Sequence, residues 1–401
     1  MTILSYSPVA SPRGDGRTPG ALAGTRVVIQ PNLSVCGWPA EAGSKALEGF
    51  IAPEDATVVE RLRLAGAGLV GASHMSELGL GLSGDTTARA LSEGAADAAV
   101  MIDMMGEARA AGAGAGLFAF KPSWGLVSRY GLNGLVPSME CPAVLAGSAD
   151  TIAAVLGVVA GPDERDFSMF EQHTPDFRRL DGPGDPIRVL AVPRQCLTGQ
   201  GACAGTDAST QFTNALEALR AAGLEVREAD LQDFDILGAA HQVIASVEAS
   251  SACGRYDGVR YGHRAREAAN WNEMYLRSRA ESFGPLLKAL LFQGAYFQFE
   301  NYPAFENACR IRARFLNDLA GLYGSVNALV LPAPRGDASA YQAETLPRLY
   351  EAFACTIPAS LAGLPAVIVP GLGLQLVGPC LSDARLLAAA RRLAEAPKGG
   401  R

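Results

Sequence analysis

Two stretches set far apart in the chain carry the same punctuation. Residues 55–73, DATVVERLRLAGAGLVGAS, read as a helix with Asp55 at the N-cap position, closed near Gly66 or Gly68 and followed by a short strand. Residues 206–231, TDASTQFTNALEALRAAGLEVREADL, repeat the pattern of capped helix, Gly223 and strand. A further strand, TRVVIQP at 25–31, precedes the first unit and makes it a βαβ-type start. Helices that alternate with strands in this way have to lie on the faces of a sheet, so the pattern points to one α/β sheet with helices on both faces.

Other segments fit that architecture. SADTIAAVLGVVAG is expected to be a helix beginning at Ser148 or Asp150 and stopping at Gly161, and a polar connection over 163–186 leads to the strand IRVLAVP. Residues 235–322 are mostly helical in character and hold most of the aromatics, which suggests a helical excursion packed on the sheet. VNALVLPAP, TIPASLAGLPAVIVPG and the helix SDARLLAAARRLAEA close the fold. Residues 1–20 read as an extended N-terminal arm and 21–401 as a single domain. The stretch from 101 reads as bland and helix-like, and it ends abruptly in FKPSWGLVSRYG.

Composition excludes several classes of function. With 49% hydrophobic and 19% charged residues and a net charge of -7, the chain has the balance of a folded domain and lacks a generally basic nucleic-acid surface, so direct nucleic-acid binding is not expected. No apolar run is long enough for a membrane span and no leader pattern opens the chain, so a cytoplasmic location is expected. The eight cysteines, Cys36, Cys141, Cys196, Cys203, Cys253, Cys309, Cys355 and Cys380, are scattered without ligand spacing. They read as buried free thiols, and neither a metal nor a cofactor is expected.

Several ordered stretches resemble one family. DATVVERLRLAGAGLVGASHMSELGLG, FKPSWGLVSRYGL, EASSACGRYDGVRYGHR, RAESFG, TIPASLAGLPAVIVP and GLQLVG are similar, in sequence order and over nearly the whole chain, to segments of the amidase signature family. Within it they most resemble the A subunits of glutamyl-tRNA(Gln) amidotransferases, which release ammonia from glutamine. The resemblance implies the amidase-signature fold, a central mixed β-sheet with helices on both faces. It also implies a nucleophilic serine, a second serine held by a cis peptide bond, and a lysine base, with backbone N–H groups receiving the oxyanion.

Carried onto this chain, none of the three catalytic groups is intact. VVIQPN places Gln30 at the lysine position, and an amide has no proton-accepting form near pH 7. MIDMMGEAR aligns with the catalytic turn: Asp103, Gly106 and Arg109 match, the nucleophile position holds Glu107, and two small residues have become Met104 and Met105. The second serine falls on Ser83, in a loop where the family's glycine-rich segment is largely missing. The hairpin before GLQLVG is cut to GLG, and most of the family's N-terminal helical region has no counterpart. A buried carboxylate must be paired, so Glu107 should meet Arg109, Lys121 or a helix N-terminus, or else reach solvent.

Asp103 and Arg109 read as braces for the turn. His74 reads as a packed or surface residue, and His241 and His263 fall in the helical region, His263 as a contact residue. RYDGVRYGHR is the best candidate for a partner-facing surface, although a solvated face would look the same. Two functions follow. The first is a non-hydrolytic scaffold, regulatory or partner subunit that meets proteins resembling the amidotransferase B and C subunits. The alternative is an active amidase or amidotransferase subunit with a rearranged site, which would take a small-molecule amide.

Overall fold

The computed structural model describes residues 2–8, 20–169, 173–178, 180, 186–198, 206–334 and 341–396. Residues 9–19 of the expected arm and Cys203 lie outside them. The strands are β1 (Leu4–Tyr6), β2 (Arg26–Ile29), β3 (Gly68–Ser73), β4 (Ala98–Asp103), β5 (Phe118–Lys121), β6 (Cys141–Ala146), β7 (Val189–Pro193), β8 (Glu225–Ala229), β9 (Ala328–Pro332), β10 (Ala366–Ile368) and β11 (Leu374–Val377). They form one sheet in the order β1-β3-β2-β4-β6-β5-β10-β11-β9-β7-β8. β2 is parallel to both β3 and β4, and β7 is parallel to β8 and β9, while the other pairings are antiparallel. The sheet is therefore mixed, and its two parallel regions are built from the two repeated units that the sequence marks.

The helices are α1 (Thr57–Leu64), α2 (Thr87–Ser92), α3 (Glu107–Ala115), α4 (Ala149–Val159), α5 (Arg194–Leu197), α6 (Thr206–Ala221), α7 (Leu237–Ala252), α8 (Trp271–Ser282), α9 (Pro285–Phe299), α10 (Tyr302–Leu322), α11 (Leu346–Ala352), α12 (Ile357–Leu361) and α13 (Asp383–Glu395). Strand alternation sends side chains to both faces of the sheet. Val27, Ile29, Ala98, Val100 and Ile102 join a core shared with α1 and α4, whereas Val28, Ala99 and Met101 pack with Ala90 of α2 and Ala108 of α3. Both faces of the central strands are thus dry, which is why β4 reads as an unbroken apolar run.

That run corrects the helix-like reading of the segment from 101. Residues 101–103 finish β4, and the helix starts only at Glu107. Asp55 is also not a cap: Ala56 holds the N-cap position of α1, and the Asp55 carboxylate accepts from Cys36 N and pairs with Arg63. Ser148 does cap α4, accepting from Thr151 N. Within the expected arm, Leu4–Tyr6 is an edge strand on β3. The expectation of buried thiols holds for Cys141, Cys196 and Cys253, whereas Cys36, Cys309 and Cys380 are exposed. The stretch expected to be a helical excursion contains α7 to α10, with α7 and α9 in extensive contact.

Candidate functional site

The turn between β4 and α3 holds Asp103, Gly106, Glu107 and Arg109, the residues that the resemblance places at the catalytic turn. β4 delivers Asp103 at the end of a wholly buried strand, and Gly106 reverses the chain at φ 137°. A Cβ at Gly106 would stand 2.1 Å from the Oγ1 atom of Thr356, so only glycine lets the turn sit this close to the segment before α12. Thr356 Oγ1 in turn donates to Met105 O at 2.6 Å.

Glu107 is the first residue of α3 and is 1% exposed. Its Oε2 atom accepts from the backbone nitrogens of Met104, Met105 and Gly106 at 2.8, 2.8 and 3.1 Å. Backbone N–H groups that converge at a helix N-terminus make an anion site, and here the anion is supplied by the turn's own side chain. The expected pairing with a helix N-terminus is therefore the one formed. Oε1 is buried without a hydrogen-bond partner. Burial, and then the negative charge of Asp103, push the carboxyl up to about 7, against the pull of the backbone donors.

Asp103 and Arg109 form a fully buried pair, with Arg109 Nε donating to Oδ2 at 3.0 Å and Nη2 to Oδ1 at 2.9 Å. The rest of the guanidinium donates to Thr356 O at 2.8 Å, Gln375 Oε1 at 3.0 Å and Ser360 Oγ at 2.7 Å. One arginine thus ties the turn to α12 and β11. His241 of α7 approaches from the helical region: its Nε2 lies 3.3 Å from Met104 O and its Nδ1 lies 3.0 Å from Tyr350 Oη. A carbonyl can only accept, so Nε2 carries the proton and Nδ1 accepts from the tyrosine. Burial pushes His241 down to about 4 and keeps the ring neutral.

Gln30 follows β2 and continues its ladder with β4, its backbone N donating to Val100 O and its Oε1 accepting from Ile102 N at 2.9 Å. Its Nε2 donates to Asp85 Oδ2 at 2.8 Å, while Asp85 Oδ1 accepts from Thr87 N at the start of α2. Burial raises the Asp85 carboxyl above its ordinary value. Ser83, two residues earlier, is exposed in a turn, and the described residues contain no cis peptide bond. Gln30 thus contacts the backbone at Ile102 and Glu107 the backbone at Met104, both at the end of β4, whereas Ser83 lies at the surface.

Sequence reasoning missed Asp85, Tyr350, Thr356, Ser360 and Gln375. The run Asp85-Thr86-Thr87 before an Ala-rich stretch carries a helix-start signal that could have marked Asp85. The other four lie some 250 residues along the chain from the turn they brace, and no local pattern connects them. Lys121, expected as a possible partner for Glu107, instead donates to Pro122 O and Leu364 O. His74 is partly buried near Thr2, and His263 sits 2.6 Å from Glu281 Oε2. In RYDGVRYGHR, Tyr256 is buried and Arg255 donates to Gly134 O, so this half of the motif is structural, while Arg260 and Arg264 are exposed.

Residues 9–93 and 87–387 match the family described as Amidase. The chain belongs to the amidase family. The two matched segments overlap at 87–93, within and just past α2. The chain is 34% identical to the A subunit of the glutamyl-tRNA(Gln) amidotransferase of Natronomonas pharaonis, over 93% of this chain and 96% of that protein. It is 33% identical to the protein of the same name from Symbiobacterium thermophilum, over 92% of this chain and 82% of that one. The crystal structure of the corresponding glutamyl-tRNA(Gln) amidotransferase A subunit from Thermotoga maritima superposes with a TM-score of 0.78 at 23% identity, covering 100% of this chain and 88% of the other. The peptide amidase of Stenotrophomonas maltophilia gives 0.74 at 23% identity, covering 95% and 84%. These superpositions carry the fold, a mixed central sheet surrounded by helices.

Proposed function

We propose that this amidase-family chain does not hydrolyse amides and serves as a scaffold or regulatory subunit that meets partners resembling the amidotransferase B and C subunits. The observation that carries this reading is the Glu107 carboxylate seated on the backbone N–H groups of Met104, Met105 and Gly106. In a serine hydrolase such donors must stay open for the oxyanion of the tetrahedral intermediate. Gln30 adds to it, because its amide supplies no general base and is engaged by Asp85 and the β4 backbone. Residues 21–401 act as one domain in this reading, and the place of action is the cytoplasm. No helix among the described residues is long and apolar enough to cross a membrane.

The names of the sequence relatives favour the other reading more directly: an active amidotransferase A subunit that uses Glu107, Ser83 or a residue supplied from outside. Identity of 34% over most of both chains is the observation behind it. Glutaminase and general amidase assays on the purified protein, alone and with B and C subunits of the same source, separate the two. A stable complex without turnover supports the scaffold. Ammonia release that disappears in Glu107→Ala or Ser83→Ala would establish the enzyme.

A further inference from the structure

A cavity of about 210 Å³ opens between the C-terminal half of α13 and the turn that follows α6. Its floor is Leu190 of β7 and Leu376 of β11, both wholly buried. One wall is Ala389 and Leu393, four residues apart on one side of α13, and the other is Ala222 and Leu224. Alanine contributes to both walls, and its methyl group fills little of the space between them. Leu376 follows Gln375, whose Oε1 accepts from Arg109. Neighbouring residues of a strand point to opposite faces, so the slot lies across the sheet from the Glu107 turn.

The charge on the lining decides the ligand. Eight of the nine lining residues are Ile, Leu or Ala, and the ninth is Arg392. Arg392 is exposed at the rim, in the last turn of α13, and among the described residues its guanidinium has no ion-pair or hydrogen-bond partner. Arg391, one residue earlier, is by contrast paired with Asp150 at 2.9 Å. A broader groove of about 770 Å³ adjoins the slot through Ala222, Leu393 and Ala396, and the only charged residue lining it is Glu217. An anion is therefore drawn to the Arg392 end and turned away from the Glu217 end. An apolar lining with one uncompensated cation at its rim fits a carboxylate head on a hydrocarbon tail. A sugar or a zwitterion would set polar groups against leucine without partners.

We propose that this slot binds a medium-chain aliphatic carboxylate, with the head group on Arg392 and the tail over Leu190 and Leu376. The cavity is smaller than the roughly 300–1,000 Å³ of sites for drug-sized ligands, which suits a single alkyl chain. The site is independent of the reading of the Glu107 turn, because no residue of that turn lines it.

Isothermal titration calorimetry of the whole chain with hexanoate, octanoate and decanoate tests this. Affinity should rise roughly tenfold for each two methylenes that enter the slot. The native protein should bind decanoate more tightly than decylammonium, and Arg392→Glu should reverse that preference, a reversal that a merely misfolded variant would not show. Ala222→Phe, at an exposed position, should fill the slot and weaken decanoate binding at least about tenfold, with an unchanged urea midpoint as the check on folding. A native protein without saturable decanoate binding below about 10 mM would overturn the proposal. So would an affinity independent of chain length, a head-group preference unchanged in Arg392→Glu, or decanoate binding unaffected by Ala222→Phe.

Discussion

The Oε2 atom of Glu107 lies 2.8 Å from the backbone nitrogen of Met104, three residues earlier in its own turn. The donors of the turn are thereby satisfied from inside the protein, with a carboxyl whose other oxygen has no hydrogen-bond partner.

Protonation of this site should be visible in stability. The Glu107 carboxyl is raised from 4.5 to about 7, so the folded state holds its proton more tightly than the unfolded chain does. Its contribution is whole below about 4.5 and is lost as pH rises to about 7. His241 is lowered from 6.5 to about 4, so its contribution is whole above about 6.5 and is lost as pH falls towards about 4. The two slopes oppose each other in the native protein. Glu107→Gln removes the first alone, so its stability relative to the native protein should climb with pH across this window by on the order of 3 kcal/mol. Urea unfolding at a series of pH values reads this directly, and a flat difference would mean an ordinary carboxylate.

The Asp103–Arg109 pair should be the main brace of the turn. Arg109→Met leaves Asp103 buried without its counter-charge and strands the acceptors on Thr356, Ser360 and Gln375. The expected loss is about 3–5 kcal/mol in chemical denaturation. A loss below about 1 kcal/mol would show that the turn is held by other contacts.

Installing the lysine and serine that the resemblance implies at positions 30 and 107 should not produce amide hydrolysis. In Gln30→Lys/Glu107→Ser the new ammonium would face the Asp85 carboxylate, which now accepts from Gln30 at 2.8 Å. An opposite charge at that distance holds a lysine protonated, and a protonated lysine is no base. With Ser83 still exposed, no amide hydrolysis above background is expected in a glutaminase assay. Ammonia release by this double variant would contradict the reading of Asp85.

Gly106→Ala should cost more than its size suggests. The added Cβ would meet Thr356 Oγ1 at 2.1 Å, in a backbone conformation with φ 137°. Steric overlap and the unfavourable φ act together, and a loss above about 2 kcal/mol is expected in thermal or urea unfolding.

Much of the architecture was legible because it is written in local periodicity. The two helix–glycine–strand units, the Ser148 cap and the helical content after Asp235 all follow from the spacing of neighbours along the chain. The resemblance drew attention to Gln30, Ser83, Glu107 and the Asp103–Arg109 turn, and the structure leaves Ser83 at the surface, apart from the rest. What local patterns could not give was β4, because a strand dry on both faces loses the alternation that identifies a strand.

The sequence by itself determined that Glu107 stands at the head of a turn with Gly106 before it and Arg109 after it. Only the tertiary structure decided what that glutamate does. Its partners are the turn's own N–H groups, and the turn keeps its shape through Thr356, Ser360, Gln375 and His241, which lie between 130 and 270 residues away in sequence. The physical reason is that a buried polar atom takes whatever partner the packed chain brings within about 3 Å, and sequence distance sets no limit on that.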